Sequence, residues 1–218
     1  MFILHSSRGN LDTTGVHCHI GPMILRLFGL GTFLLLTSSL WAHPHVWVDV
    51  KAEVAIAGGF VEGVWTDWTF DDQFSQLIIA DNDPGNSGKV DAKMNLSIKK
   101  SYFDNLKQYS YFSHFILGKR DLEVPTPQKF QAAISPQGKV SYRFFLPLGI
   151  RLDAKTPLAV SFYDDSFFTD MEFIKKAPVT LTVTDGGKAS VTFRPEKSKT
   201  FYGGQVTPIY AYILLSPS

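Results

Sequence analysis

Strict alternation of apolar and polar residues opens the informative part of the chain. In His45 to Ile56 (HVWVDVKAEVAI), Val46, Val48, Val50, Ala52, Val54 and Ile56 fall on one face. His45, Trp47, Asp49, Lys51 and Glu53 fall on the other. A period of two predicts a half-buried strand. Gly58-Gly59 marks a turn. Phe60 to Phe70 (FVEGVWTDWTF) is rich in β-branched and aromatic residues and predicts the second arm of a hairpin. The period then changes. Asp71 to Ala80 (DDQFSQLIIA) suits a short helix capped by Asp71 or Asp72. A polar loop runs from Asp81 to Lys89, and Asp91 to Tyr109 places Met94, Ile98, Tyr102 and Leu106 at near-helical spacing.

Strand signals return at Tyr111 to Leu117. They continue at Lys129–Ile134, Lys139–Leu146, Leu158–Tyr163, Val179–Thr184 and Ala189–Arg194, with turns at 135–138 and 185–187. The expected fold class is α+β: a mostly antiparallel sheet or sandwich with a two-helix insertion at about 71–110. Residues 43–195 would form this single domain. Residues 196–218 would be a tail or a last element, with Val206 to Leu215 apolar enough for a strand or a helix.

The N-terminus reads differently. Met23-Ile24-Leu25-Arg26, the apolar run Leu27–Leu36 and the small residues up to Ala42 have the layout of a secretory signal peptide. The run is shorter than the ~20 residues a membrane span needs. Cleavage is expected after Ala42, with Met23 as the working start; an uncleaved anchor is the alternative. Cleavage would take 42 of the 218 residues and leave 176. It would remove Arg8, Arg26 and Asp12, so 19 basic and 19 acidic residues would remain. Such balance excludes a chain steered to nucleic acid by excess positive charge. The single cysteine, Cys18, would leave with the signal, along with His5, His17 and His19. That excludes a disulfide framework and a thiolate zinc cage from the mature part. His43, His45 and His114 are the histidines that stay.

Those histidines carry the candidate chemistry. In His43-Pro44-His45-Val46-Trp47-Val48-Asp49, alternate residues share a strand face, so His43, His45 and Asp49 can point the same way. Imidazole and carboxylate suit zinc, nickel or cobalt. Cleavage would also give His43 a free amine that could chelate Cu(II). Pro44 lacks the N–H that a square-planar amino-terminal copper site must lose, which turns the reading towards side-chain ligands. Solvated strand-end histidines are the plain alternative. Asp71 fits both a helix cap and a ligand. His114 shares its expected face with Phe112 and Ile116, where a hydrogen-bonded core histidine is the common outcome. Asp164-Asp165 ends a strand and suits either ligands or a turn. The loop 81–90 lacks the closing Glu of a calcium loop in either frame. No phosphate loop, His-Glu-x-x-His or Gly-x-Ser-x-Gly motif is present, and no enzyme activity is expected.

HPHVWVDV after a signal peptide, WTFDDQFS, the YFSHF strand and FYDDSFF together resemble a bacterial family of secreted proteins. That family is catalogued as a domain of unknown function and described as a periplasmic component of transport systems. The resemblance covers about residues 43–190, and His-Pro-His is its most specific piece. It implies a periplasmic accessory protein working beside an inner-membrane permease of the nickel/cobalt type. The cargo would be zinc first, with nickel, cobalt or copper as alternatives. By similarity, His43, His45, Asp49, Asp71, His114 and Asp164 fall on the family's recurring polar positions. The fuller acidic loop and His-rich loop of many members are missing here, so the resemblance implies one compact site at most. A metal-free β-sandwich interaction module of the cell envelope is the rival reading.

Overall fold

The computed structural model describes residues 45–184 and 186–216. The expected signal segment, its cleavage point and His43 lie outside the described residues. The fold is α+β, with two largely antiparallel sheets and a helical insertion.

The opening alternation becomes β1 (Val46–Ala57), with the even-numbered residues buried and Trp47, Asp49 and Lys51 exposed. The hairpin partner is β2 (Phe60–Phe70), antiparallel to β1 from Val48↔Phe70 to Ala57↔Phe60. Then come α1 (Asp72–Asn82) and α2 (Ala92–Ile98). The strands β3 (Ser113–Leu117), β4 (Arg120–Leu122), β5 (Gln128–Ile134) and β6 (Val140–Arg151) follow. The last five are β7 (Leu158–Phe162), β8 (Thr169–Phe173), β9 (Val179–Val183), β10 (Ala189–Pro195) and β11 (Ile209–Leu215).

One sheet runs β5-β6-β2-β1-β8, with β9 also on β1; the other runs β10-β11-β7-β3-β4. Strands β8 and β9 lie end to end along the second edge of β1 and parallel to it. The main core forms between the sheets. Val50, Val54, Trp68 and Phe144 from the first sheet share it with Phe115, Val160 and Ile213 from the second. A smaller cluster of Ile116, Ala159, Tyr163, Tyr210 and Tyr212 covers the far side of the second sheet. Among the described residues, no helix is long and apolar enough to cross a membrane.

Three sequence expectations change. The helix expected over 91–109 keeps α-helical form only to Ile98. It then widens into a π-helical turn over Lys99–Phe103 and tightens into a 3-10 segment over Asp104–Phe112. The strand expected from Tyr111 starts two residues later, at Ser113. Strand β8 was not expected: TDMEF alternates, Met171 and Phe173 against Asp170 and Glu172, but over only five residues, and its pairing with β1 makes it a strand. The open choice for the C-terminus resolves as a strand: β11 lies between β10 and β7.

Side chains fasten the insertion to the sheets. The Ser75 hydroxyl accepts from the Val140 N–H at 2.9 Å, and Asn95 Oδ1 accepts from the Ala132 N–H at 2.7 Å. Gly63 sits at a register shift where β2 meets β6. A Cβ there would collide with the Leu146 carbonyl oxygen and the Phe145 ring. Overpacking of this kind costs about 1–3 kcal/mol. Gly63→Ala is expected to lower the denaturant midpoint by that order, while Gly85→Ala, which meets open space, is expected to leave it nearly unchanged. Equal midpoints for the two variants would contradict this packing.

Candidate functional site

The start of β1 is the first candidate. His45 is exposed, and its backbone N–H donates to the Phe168 carbonyl at 2.8 Å. Its ring lies 4.9 Å from the Phe168 ring, tilted by 38°. Neither imidazole nitrogen of His45 has a hydrogen-bond partner among the described residues, so both remain open to a ligand or to solvent.

The carboxylates expected to join it are placed otherwise. Asp71 Oδ1 accepts from the Phe74 N–H at 2.9 Å, which caps α1. Its Oδ2 accepts from the Trp47 N–H at 2.8 Å, and its own N–H donates to the Trp47 carbonyl at 3.0 Å. Asp71 therefore ties the helix start to β1, and its cap role is filled. Asp49 shares the exposed face with Trp47, as the alternation implies. Four strand residues span about 13 Å at ~3.3 Å each, too far for Asp49 and His45 to hold one ion between them. The register neighbours of Asp49 are Thr69 and Glu172.

Asp164 is buried at the turn where the chain passes from β7 to β8, and so from one sheet to the other. Its Oδ1 accepts from the Ser166 N–H at 2.9 Å and the Ser166 hydroxyl at 2.7 Å; Oδ2 accepts from the Thr169 N–H at 3.1 Å. Of the pair Asp164-Asp165, the first builds the turn and the second is exposed.

His114 forms a separate centre on β3. Its Nε2 lies 3.0 Å from the Tyr163 carbonyl oxygen. A carbonyl can only accept, so Nε2 carries the proton and Nδ1 keeps the free lone pair. The ring stacks on Tyr163 at 3.6 Å and 4°. Burial pushes its pKa below the ordinary histidine value, against the opposing pull of the Tyr163 carbonyl and of Asp165 and Asp121. His114 lines an open cleft of about 900 Å³ with Asp121, Glu123, Asp165 and Lys199. Lys199 already bonds Asp121 at 2.7 and 2.9 Å. The expected apolar setting holds for Ile116, but Phe112 belongs to the main core instead.

The five candidates among the described residues, His45, Asp49, Asp71, His114 and Asp164, are thus not gathered into one shell. Among the described residues there is no group of three or more His, Cys, Asp or Glu placed to hold a metal ion. In the loop expected to resemble a degraded calcium loop, Asp83 turns inwards. It accepts from the Ser87 N–H at 3.0 Å and the Gly88 N–H at 2.9 Å. Sequence reasoning passed over the Asp121, Glu123 and Lys199 side of the His114 cleft, because short strand β4 carries no pattern that places it beside β3.

A family described as "Protein of unknown function (DUF1007)" matches residues 29–203. An uncharacterized 15.5 kDa protein in the trpE 3' region of Spirochaeta aurantia is 58% identical over 141 residues, 65% of this chain and 100% of that protein. An uncharacterized protein of Haemophilus influenzae is 22% identical over 158 residues, 71% of this chain and 74% of that one.

Two outcomes follow. Asp71→Ala should cost about 1–2 kcal/mol in denaturant unfolding, and Asp71→Asn should restore most of it, since Asn also caps. No loss in Asp71→Ala would contradict the double tie. His114 has a folded pKa below its unfolded value of ~6.5, so its contribution to stability is complete above about pH 6.5 and is lost as pH falls towards the folded pKa. Unfolding midpoints between pH 7.5 and 5 should therefore fall more steeply in the parent than in His114→Gln. Parallel curves would contradict the shift.

Proposed function

This chain belongs to the DUF1007 family, and we propose that it is a periplasmic accessory protein that carries a divalent cation to an inner-membrane permease. The cation is zinc first, with nickel, cobalt and copper as lesser choices for an imidazole site. The protein is exported by its N-terminal segment, is processed after Ala42, and catalyses no reaction.

One observation carries this reading: His45 presents an exposed imidazole with no hydrogen-bonded ring nitrogen among the described residues, two residues from His43 in sequence. Imidazole nitrogen is a standard zinc ligand. Asp71 already accepts from two backbone amides as a helix cap and a tie to β1, so we infer that the ion would keep water or accept a ligand from the partner. A shell left open in this way favours exchange over storage, which is what delivery requires. The permease type rests on the family resemblance of the HPHVWVDV, WTFDDQFS and FYDDSFF segments.

The metal-free interaction module stays as a second reading for one reason. The described residues contain no three-ligand group.

The deciding experiment is calorimetric titration of the exported protein, untagged at its N-terminus, with Zn(II), Ni(II), Co(II) and Cu(II). One zinc equivalent in the parent, lost in His43→Ala/His45→Ala with an unchanged unfolding midpoint, is the expected result. No binding above that variant would remove the cation reading and leave the module.

A further inference from the structure

A second cavity, of about 400 Å³, lies at the end of the sandwich beneath the start of β1. Val46, Val48, Trp68 and Phe70 form its sheet side. Tyr102, Leu106, Tyr109 and Phe112 of the insertion form the opposite wall, Phe168 and Met171 close it near β8, and Asp164, Ser166 and Thr169 add a polar rim there. Such a volume falls in the range of small-molecule pockets, ~300–1,000 Å³. Tyr109 and Phe168 are exposed, so the lining reaches solvent.

Three independent features distinguish this cavity from a packing defect. Trp68 is 1% exposed, and its indole N–H has no acceptor. Buried donors are nearly always paired, so an unpaired one lining a cavity points to a ligand. The insertion wall uses rare backbone: Tyr102 stands in the π-helical turn, a form that recurs at functional sites. Just beyond it, Ser110, Tyr111 and Phe112 are left-handed in succession, at φ 52°, 49° and 49°. None is glycine, and strain of this kind is concentrated at ligand clamps; of the three, Phe112 lines this cavity, while Ser110 and Tyr111 line the His114 cleft.

We propose that this cavity binds an uncharged, flat aromatic molecule carrying one hydrogen-bond acceptor, which the Trp68 indole N–H receives. The mostly apolar walls disfavour a charged ligand, since the one carboxylate at the rim, Asp164, is already engaged by Ser166 and the Thr169 N–H. Aromatic walls favour a flat ring system through offset and edge contacts. One donor calls for one carbonyl or ether oxygen. The site shares no proposed metal ligand with the cation reading, so either can fail alone.

The test uses a matched pair of probes, 2-acetylnaphthalene and 2-ethylnaphthalene, which differ in shape by little and in the carbonyl acceptor outright. Binding to the purified protein is followed by titration, with the indole N–H resonances read by NMR and Trp68 assigned by its loss in Trp68→Phe. The ketone is expected to bind about tenfold more tightly than the hydrocarbon and to move the Trp68 N–H resonance downfield. That preference disappears in Trp68→Phe, and Leu106→Trp, which fills the cavity from its outer wall, abolishes binding of both. Equal binding of the two probes, binding retained in Leu106→Trp, or no binding of the ketone would each overturn the proposal.

Discussion

Strand β1 is the constraint on which the rest depends. Both of its edges are filled along their length: β2 on one side, β8 and then β9 on the other. Its buried face supplies six apolar residues to the main core, from Val46 to Ile56. A one-residue slip would send all six to solvent and bring Trp47, Asp49 and Lys51 into the core, so the register is strongly specified. Everything near the candidate site hangs from this strand. Asp71 joins α1 to it through Trp47, and the turn built by Asp164 delivers β8 to its open edge.

That arrangement explains why two carboxylates that look like ligands, Asp71 and Asp164, have structural duties. Two chain crossings converge at the start of β1: the exit from β2 into α1 and the entry from β7 into β8. Each crossing leaves backbone N–H groups without strand or helix partners, and such groups must be satisfied. Asp71 satisfies two, and Asp164 satisfies two and a hydroxyl. The imidazoles are not needed for this purpose. His45 is left open at the edge, and His114 is fixed by a carbonyl that leaves Nδ1 unpaired. The structural duty of the acids and the availability of the histidines have the same cause.

The fold was legible where local pattern and tertiary pairing agree. The β1–β2 hairpin, α1 and the strands β5, β6, β7, β9 and β10 follow from alternation, turn residues and capping. Strand β8 was missed because its alternation, Met171 and Phe173 against Asp170 and Glu172, spans only five residues, too few to stand out without its partner β1. The break of the second helix after Ile98 was illegible because Ile98, Tyr102 and Leu106 keep their apolar spacing through the change of winding. At the site, the residue types were legible and their duties were not. Nothing in Asp164-Asp165 says which carboxylate the turn will bury. The apolar cavity was hidden for a simpler reason: Trp68 reads as core, and its unpaired N–H exists only once every neighbour is in place.

The account's central claim is that the open imidazole at the start of β1, with His43 before it, is where a divalent cation is held, while His114 keeps its bond to Tyr163. NMR of histidine ring nitrogens during stepwise addition of zinc reads this directly. The account predicts that the His45 and His43 ring nitrogens shift with the first equivalent while His114 keeps its neutral, Nε2-protonated form at neutral pH. Movement of the His114 Nδ1 signal with His45 unchanged, or no shift in any of the three, would contradict it.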